Sequence, residues 1–402
     1  MSLFSPFRRA APLPALLGLL LFFCAGFADG VLVPFFPLWA QHDAHIPVAA
    51  IGLLFACYAG GEILAAPVLG GIADRVGRRP VLILSTLGVG LGFTALFLVR
   101  SIPAAAAVLL FTGICESVLH PTVQTVIADC TAPAAHRGWF GRVRVANGAG
   151  QVLGPAVGAL LATHSLRAVF LVAGGVLLLG GIAVLLLLPE TRVSGAADDG
   201  EDEEESLSAL LPALRDRRLA SLLLWFTLFD VTGNWIESVI PLYAHDAGTL
   251  SASGIGALFS FAALLTVVLQ LAVGRLGEGR GPLPLVLGAG ACAGTGFALL
   301  LASPAIAAIV GAVALCAISQ MLTGPLLPAT IAALAPPSRR AAYMAAASLA
   351  TDLKDSLGPS VGTALYAVAP RLPWIVAIPL VASASLGLGA ALTRAGARRL
   401  AA

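Results

Sequence analysis

Gly70-Gly71-Ile72-Ala73-Asp74-Arg75-Val76-Gly77-Arg78-Arg79-Pro80 is a short polar stretch between two long apolar runs. It holds four charged residues in a chain in which only 11% of residues are charged. The paired glycines allow two helix backbones to approach closely, and Gly77 allows the sharp reversal of a helical hairpin. Asp74 ends the first helix, where the arginines can pair with it or face anionic lipid. The stretch therefore predicts two helices joined by a tight, charged turn.

The order of glycine, aspartate-arginine, glycine and arginine-arginine resembles the loop between helices two and three of the major facilitator superfamily of transporters. An ordinary basic loop that follows the positive-inside rule would explain the arginines but not the placement of the glycines and the aspartate. In the family, this loop helps to hold the cytoplasmic side closed. The resemblance implies a gate, and not a substrate site, at Gly70, Asp74, Arg75, Gly77, Arg78 and Arg79.

The composition is that of an integral membrane protein. Of the 402 residues, 58% are hydrophobic and 11% are charged, whereas soluble domains have about 25% charged residues. The net charge of +2 does not favour a nucleic-acid partner. The six cysteines are scattered through apolar segments without CxxC spacing, so we expect packing residues rather than disulfides or metal ligands. Neither a catalytic set nor a phosphate-binding loop is present, so we expect no enzyme and no cofactor.

Twelve segments are long and apolar enough to span a bilayer, which takes about 20 residues each. They lie near 14–39, 48–70, 81–99, 103–129, 139–163, 168–188, 219–243, 252–274, 283–302, 304–333, 341–367 and 372–393. The fourth and tenth exceed a straight span, so we expect them to bend near Pro121 and Pro328. The fold class is therefore an all-α membrane protein.

The chain divides into two halves that look like repeats. The segment Pro37–Ala44 aligns with Pro241–Gly248, and at the same offset the glycine and acidic positions of the charged turn fall on Gly274, Glu278 and Gly281. We therefore expect six-helix bundles at 1–189 and 219–402, which is the arrangement implied by the family resemblance. Between them, 190–218 is strongly acidic, and we predict a flexible cytoplasmic linker there. A regulatory or metal-binding role for the linker is the alternative.

Arginine placement predicts the orientation. If the chain lies in the cell inner (plasma) membrane with both termini in the cytoplasm, most arginines fall inside and only Arg100, Arg167 and Arg371 fall outside. The apolar spans imply a lipid bilayer as partner, and the family resemblance implies protons and a small-molecule substrate, with the chain acting as a monomer.

Ionisable residues inside the spans mark the candidate transport site, because charges in a bilayer are costly and usually face a cavity or a partner. Spans three, six, nine and twelve carry none in their interiors, which separates lipid-facing from cavity-facing helices. The candidates for proton coupling and substrate binding, with two neighbouring asparagines, are Asp29, Glu116, His120, Arg144, Asn147, Asp230, Asn234, Glu237, Asp352, Lys354 and Asp355. Glu62 and Arg142 complete the ionisable set. For Arg144 and Lys354, a structural salt bridge is the alternative.

The fifth span carries a second family signature. Its motif Gly150-Gln151-Val152-Leu153-Gly154-Pro155-Ala156-Val157-Gly158 resembles the glycine-proline motif of proton-coupled antiporters, especially twelve-helix drug exporters. Gly150, Gly154 and Gly158 form a small-residue ridge, and Pro155 removes a backbone hydrogen bond. Generic tight packing is the alternative, because the second half repeats the motif. One position departs from the family: Leu109 stands where many relatives have an arginine, so Glu116 with His120, or Arg144, would have to replace it.

The resemblance implies a drug:H+ antiporter that exports a hydrophobic or cationic molecule by alternating access, and the excess of central acids favours a cation. Three alternatives stay open. A symporter importing a nutrient or organic acid would use Arg144 and Lys354 as clamps. A divalent-metal exporter would use Asp29, Glu116 and His120, although we assign no metal site from the sequence. The last is a receptor or assembly factor that transports nothing.

Overall fold

The computed structural model describes residues 12–132, 135–188, 215–277, 281–336 and 340–397, and every regular element in these ranges is a helix. Nearly all of the predicted acidic linker lies outside them. Glu278 also lies outside them. Within the second helix, the surroundings of Gly70 and the side chains of Asp74 and Arg75 are outside the described part as well.

The first half contains seven helices within the described ranges. They are α1 (Leu13–Leu38), α2 (Val48–Val76), α3 (Arg78–Leu96), α4 (Ile102–Glu116), α5 (Leu119–Asp129), α6 (His136–Ala162) and α7 (Leu166–Leu187). A π-helical turn at Trp39–Asp43 extends α1. We call the side where α1 begins and α7 ends the linker face, and the opposite side the distal face.

The second half repeats this order. Its helices in the described ranges are α8 (Arg217–Ser238), α9 (Ile240–Asp246), α10 (Ala252–Gly277), α11 (Pro282–Ala302), α12 (Ile306–Thr323), α13 (Leu326–Leu334), α14 (Arg340–Val368) and α15 (Leu372–Ala397). Eleven spans in the described residues are long and apolar enough to cross a membrane. The one remaining predicted span, the eleventh, is α14, which is 29 residues long but carries Asp352, Lys354 and Asp355. The twelve-helix membrane fold is therefore confirmed.

The fourth and tenth spans are each broken in two, as their length suggested, but the breaks lie before the prolines. The fourth breaks between Glu116 and Leu119, and the tenth between Thr323 and Leu326. A proline cannot donate to the carbonyl four residues earlier and its ring crowds that carbonyl. For Pro121 and Pro328 those carbonyls belong to Ser117 and Gly324, which are the points where the helices separate.

The charged turn differs between the two halves. Gly77 has a φ of 112°, a conformation that glycine adopts without strain, whereas Gly281 at the equivalent position has a φ of −63°. Arg78 forms an ion pair with Asp129 at the end of α5, and Arg79 donates to the carbonyl of Leu185 at 2.9 Å. In the first half the turn is therefore tied to α5 and α7.

The glycine ridge of α6 packs directly on α1. A Cβ added at Gly150 would overlap the main chain at Phe23 and Phe27, and one added at Gly154 would overlap the carbonyl of Phe27. The repeat behaves similarly, because a Cβ at Gly358 of α14 would press on Asn234 of α8. Close packing of these glycines therefore occurs in both halves, against the main chain of α1 in the first and against a side chain of α8 in the second.

Asp216 fixes the start of α8 on the linker face. Its carboxylate accepts a hydrogen bond from the Arg218 backbone N–H at 2.9 Å and one from the Tyr343 hydroxyl at 2.7 Å. Burial alone would raise the pKa of Asp216, but these hydrogen bonds together hold that pKa below its ordinary value. The contact joins α8 to α14 inside the second half.

The apolar core shows which face is closed. On the distal side, one continuous core contains buried residues of both halves, including Trp39 and Trp235. Toward the linker face there are two separate cores, one around Trp139 in the first half and one around Phe226 in the second. The halves are therefore packed together at the distal face, whereas near the linker face the buried apolar residues that the structure describes form a separate core in each half.

Polar contacts between the halves agree with this. On the distal side, Gln41 and His42 contact Asp246, and the Ser360 hydroxyl donates to the carbonyl of Gly52 at 2.8 Å. Near the centre, the Ser260 hydroxyl of α10 donates to the carbonyl of Val152 of α6 at 3.0 Å. Among the described residues, no hydrogen bond or ion pair joins the halves closer to the linker face. The molecule is thus closed distally and open toward the linker face.

Candidate transport site

The second-half wall of the central space is organised around Lys354 of α14. Its ammonium lies 2.7 Å from the Asp355 carboxylate and 3.3 Å from the carboxylate of Asp230 on α8. Asn234, one turn beyond Asp230, donates to the Asp355 carboxylate at 2.9 Å and to the Lys354 carbonyl at 3.1 Å. Asp230 and Asn234 are four residues apart and so share a face of α8, which brings both of them onto the same segment of α14. The structural salt bridge that was the alternative role for Lys354 is therefore present, with Asp230 on the facing helix.

A cavity of about 400 Å³ lies against this cluster. Glu237 adds a third carboxylate to its wall, and the apolar part includes Phe226 and Met321. The uncharged polar lining comprises Asn234, Thr266, Gln270, Gln320 and Thr323. With three carboxylates and one ammonium, the ionised wall carries excess negative charge while also offering apolar surface.

The first-half wall of the central space is acidic and combines carboxylates with a histidine in place of a lysine. Asp29 of α1, Glu116 at the end of α4 and His120 at the start of α5 place a carboxylate or imidazole atom each within 4.8 Å of one another. Glu116 is buried, and the hydroxyl of Tyr58 on α2 donates to its carboxylate. Glu62, one turn from Tyr58, interacts electrostatically with acids of both halves. Asp29 of α1 thus lies beside Glu116 and His120, which are about 90 residues later in the sequence.

The remaining candidates lie elsewhere. Asn147 donates to the carbonyl of Phe22 at 3.4 Å and so helps α6 to pack on α1. Arg144 is exposed and forms no ion pair with any described residue. Arg142 stacks over the Trp139 ring, with its guanidinium carbon 4.5 Å from the ring centroid. Asp352 is half-buried and interacts electrostatically with Asp355 and Lys354.

Sequence reasoning missed Tyr58 and the glutamines Gln270 and Gln320. Only ionisable residues and their asparagine neighbours were counted, and these three are polar but ordinarily uncharged. A signal was present for Tyr58, because it lies four residues before Glu62 and therefore on the same face of α2. For the glutamines the signal was a lone amide side chain in an otherwise apolar span.

Residues 18–359 match the sequence profile of the Major Facilitator Superfamily. The chain is 29% identical over 351 residues to the class G tetracycline resistance protein of Vibrio anguillarum, covering 84% of this chain and 86% of that protein. It is 27% identical to the multidrug resistance protein MdtG of Klebsiella pneumoniae, covering 65% of this chain and 64% of MdtG. It spans 58% and 64% of the class E and class D tetracycline resistance proteins.

Among solved structures, the nucleoside transporter NupG superposes with a TM-score of 0.76 at 13% identity, covering 95% of this chain and 98% of NupG. That likeness concerns the fold alone. Together with the profile match across most of the sequence and the twelve spans around a polar central space, it leads to one assignment. The chain belongs to the Major Facilitator Superfamily of membrane transporters.

Proposed function

We propose that the chain is a proton-coupled antiporter that exports hydrophobic or cationic small molecules by alternating access. The observation that carries this proposal is the Lys354 cluster beside the cavity. A cationic substrate finds three carboxylates there, and its apolar part can rest on Phe226 and Met321. The relatives named for tetracycline and multidrug resistance support export of such molecules.

Coupling follows from competition for the same carboxylates. A proton on Asp230 or Asp355 removes one negative charge from the wall and weakens its hold on Lys354. A bound cation is stabilised by ionised carboxylates, so its binding favours loss of the proton. Proton and substrate therefore exclude each other, which is the requirement for antiport.

The linker face is cytoplasmic in this proposal, because the arginine distribution favours it. The structure then represents the inward-open state, in which substrate enters the cavity from the cytoplasm. A monomer is sufficient, since every residue that lines the cavity comes from one chain.

The test is transport by the full chain in proteoliposomes with an imposed pH gradient. The panel contains tetracycline, a lipophilic monovalent cation, an organic anion and a divalent metal ion. We expect tetracycline and the lipophilic cation to be transported in exchange for protons that move in the opposite direction. The Asp230→Asn variant should lose this proton-driven transport. Asp43→Asn is the matched control, because Asp43 pairs with Arg167 at the distal face, away from the cavity.

Uptake of the anion together with protons would contradict antiport and favour the symporter, in which Lys354 would bind the anionic group. Proton-driven transport that is equally fast in Asp230→Asn and wild type would contradict the assignment of coupling to this cluster.

A further inference from the structure

The cluster of Asp29, Glu116 and His120 on the first-half wall has the donor set of a metal site. One ligand atom from each lies within 4.8 Å of the others. The break between α4 and α5 lies between Glu116 and His120, and the two side chains nevertheless converge on Asp29 of α1. Two carboxylate oxygens and one imidazole nitrogen from three helices thus share one point.

The imidazole of His120 is held in place but lacks a partner. The Phe22 ring stacks on it with centroids 5.2 Å apart and an interplanar angle of 19°. Its Nε2 atom is buried and forms no hydrogen bond with any described residue. A buried imidazole nitrogen without a partner costs free energy, so a ligand that reaches this nitrogen would stabilise the ring.

The Glu116 carboxylate is buried and oriented by a hydrogen bond. It is 5% exposed, and the Tyr58 hydroxyl donates to one of its oxygens. Hydrogen bonds of this kind orient the carboxylate and imidazole ligands of metal sites.

No described arginine or lysine forms an ion pair with Asp29 or Glu116. Two carboxylates without a countercation are unfavourable within a membrane span. A divalent cation would neutralise both charges and would also be bound by a nitrogen of the His120 imidazole. We propose that Asp29, Glu116 and His120 bind one divalent first-row transition-metal ion.

The donor types select the class of ion. Imidazole favours Zn²⁺, Co²⁺ and similar ions over Mg²⁺ and Ca²⁺, which prefer oxygen ligands throughout. Donors of a tetrahedral zinc ion, bound at ~2.0–2.1 Å, lie about 3.4 Å apart, so the cluster contracts by at most about 1.4 Å on binding. Three protein ligands leave at least one coordination position open on a four-coordinate ion. The site does not depend on the proposed drug export.

The test is Co²⁺ binding to the purified full chain in lipid nanodiscs, followed by visible d–d absorption. We expect one Co²⁺ per chain, displaced by Zn²⁺. His120→Gln, Asp29→Asn and Glu116→Gln each weaken binding at least tenfold, and Tyr58→Phe weakens it by about tenfold through Glu116. His164→Gln is the matched control, because His164 lies beyond the distal end of α6 beside Thr163. Wild-type absorption unchanged by Co²⁺, or binding unchanged in all three ligand variants, overturns the proposal.

A second measurement uses only the wild-type chain and so does not depend on the folding of variants. Carbodiimide modifies carboxyl groups, and mass spectrometry locates the adducts. We expect Zn²⁺ to protect Asp29 and Glu116 while leaving Glu237 on the opposite wall equally reactive. Equal modification of Asp29 and Glu116 with and without Zn²⁺ contradicts the site. Transport of Co²⁺ into dye-loaded proteoliposomes then shows whether the bound ion is cargo or remains in the protein.

Discussion

The Nε2 atom of His42 lies 3.3 Å from the Asp246 carboxylate, and these residues occupy equivalent positions in the two sequence repeats, 204 residues apart. Asp246 also accepts hydrogen bonds from Gln41 of the first half and from Tyr366 of the second, the latter at 2.7 Å. The His42 ring packs edge-on against His245, with centroids 4.5 Å apart. Equivalent segments thus meet each other near the pseudo-twofold axis, and one carboxylate connects both halves.

We predict that Asp246→Asn opens the distal face more often. The change removes the charge that His42 and Gln41 contact but keeps the side-chain size. A cysteine replacing Ala40, which is buried in the shared core, should react several-fold faster with an impermeant maleimide added at the distal side. Because His42 forms an ion pair only when protonated, the difference from wild type should be larger at acidic than at alkaline pH.

Asp43→Asn is the control for this prediction. It breaks the 2.6 Å ion pair between Asp43 and Arg167 on the same face, but both partners belong to the first half. Its labelling rate should stay near that of the wild type. Equal acceleration in both variants would mean that general loosening of the distal face, and not the contact between halves, controls opening.

For the charged turn, we predict that Asp74→Asn impairs transport much more than Glu278→Gln. In the first half the turn is anchored by Gly77, by Arg78 on Asp129 and by Arg79 on Leu185. An acid at the end of α2 can accept hydrogen bonds from the opposite half when the linker face closes. Loss of these hydrogen bonds in Asp74→Asn should increase the labelling of a reporter cysteine that replaces Gln124, which is exposed on α5.

The side chain of Asp74 and all of Glu278 lie outside the described residues, so this asymmetry stays a prediction. Arg78→Gln provides a second arm, because it releases the turn from α5 without touching Asp74. Identical effects of Asp74→Asn and Glu278→Gln would show that the turn acts only in topology.

For the glycine ridge, we predict that Gly150→Ala lowers the thermal unfolding midpoint of the purified protein. The new methyl group would overlap the main chain of α1, and overpacking of this kind costs about 1–3 kcal/mol. Gly141→Ala on the same helix is the matched control, since nothing lies within 4 Å of the added atom. Both variants gain helix propensity, so the control should be neutral or stabilising. A midpoint unchanged by Gly150→Ala would contradict the packing.

Orientation is predicted by the arginine pattern and can be tested in intact cells. In a background without the six native cysteines, we expect cysteines at Arg79 and Asp202 to label only from the cytoplasm. A cysteine at His45, on the distal face, should label from outside. Labelling at Asp202 from outside would reverse the topology and make this structure outward-open.

The helices could be predicted from the sequence because length and apolarity decide which segments cross a bilayer. Even the broken spans were anticipated, although Pro121 and Pro328 bend the chain at Ser117 and Gly324. These displacements follow from the hydrogen bond that each proline cannot make. Gly77 and the α6 ridge were likewise recognisable, because their backbone demands are local.

The site was only partly predictable. Asp230 and Lys354 were marked by their charge, and so were Asp29 and Glu116. Which of these meet depends on helix rotation and on how the halves are packed, which periodicity does not determine. Arg144 carries a charge inside a span and is nevertheless exposed.

The single apolar core at the distal face has a thermal consequence. Separating the halves there brings buried apolar side chains, Trp39 and Trp235 among them, into contact with water. Exposure of apolar surface raises the heat capacity, and the attraction between such surfaces weakens on cooling. The distal joint is therefore held by a force that grows with temperature over the lower part of the physiological range, and the equilibrium between the two open states has a curved dependence on temperature.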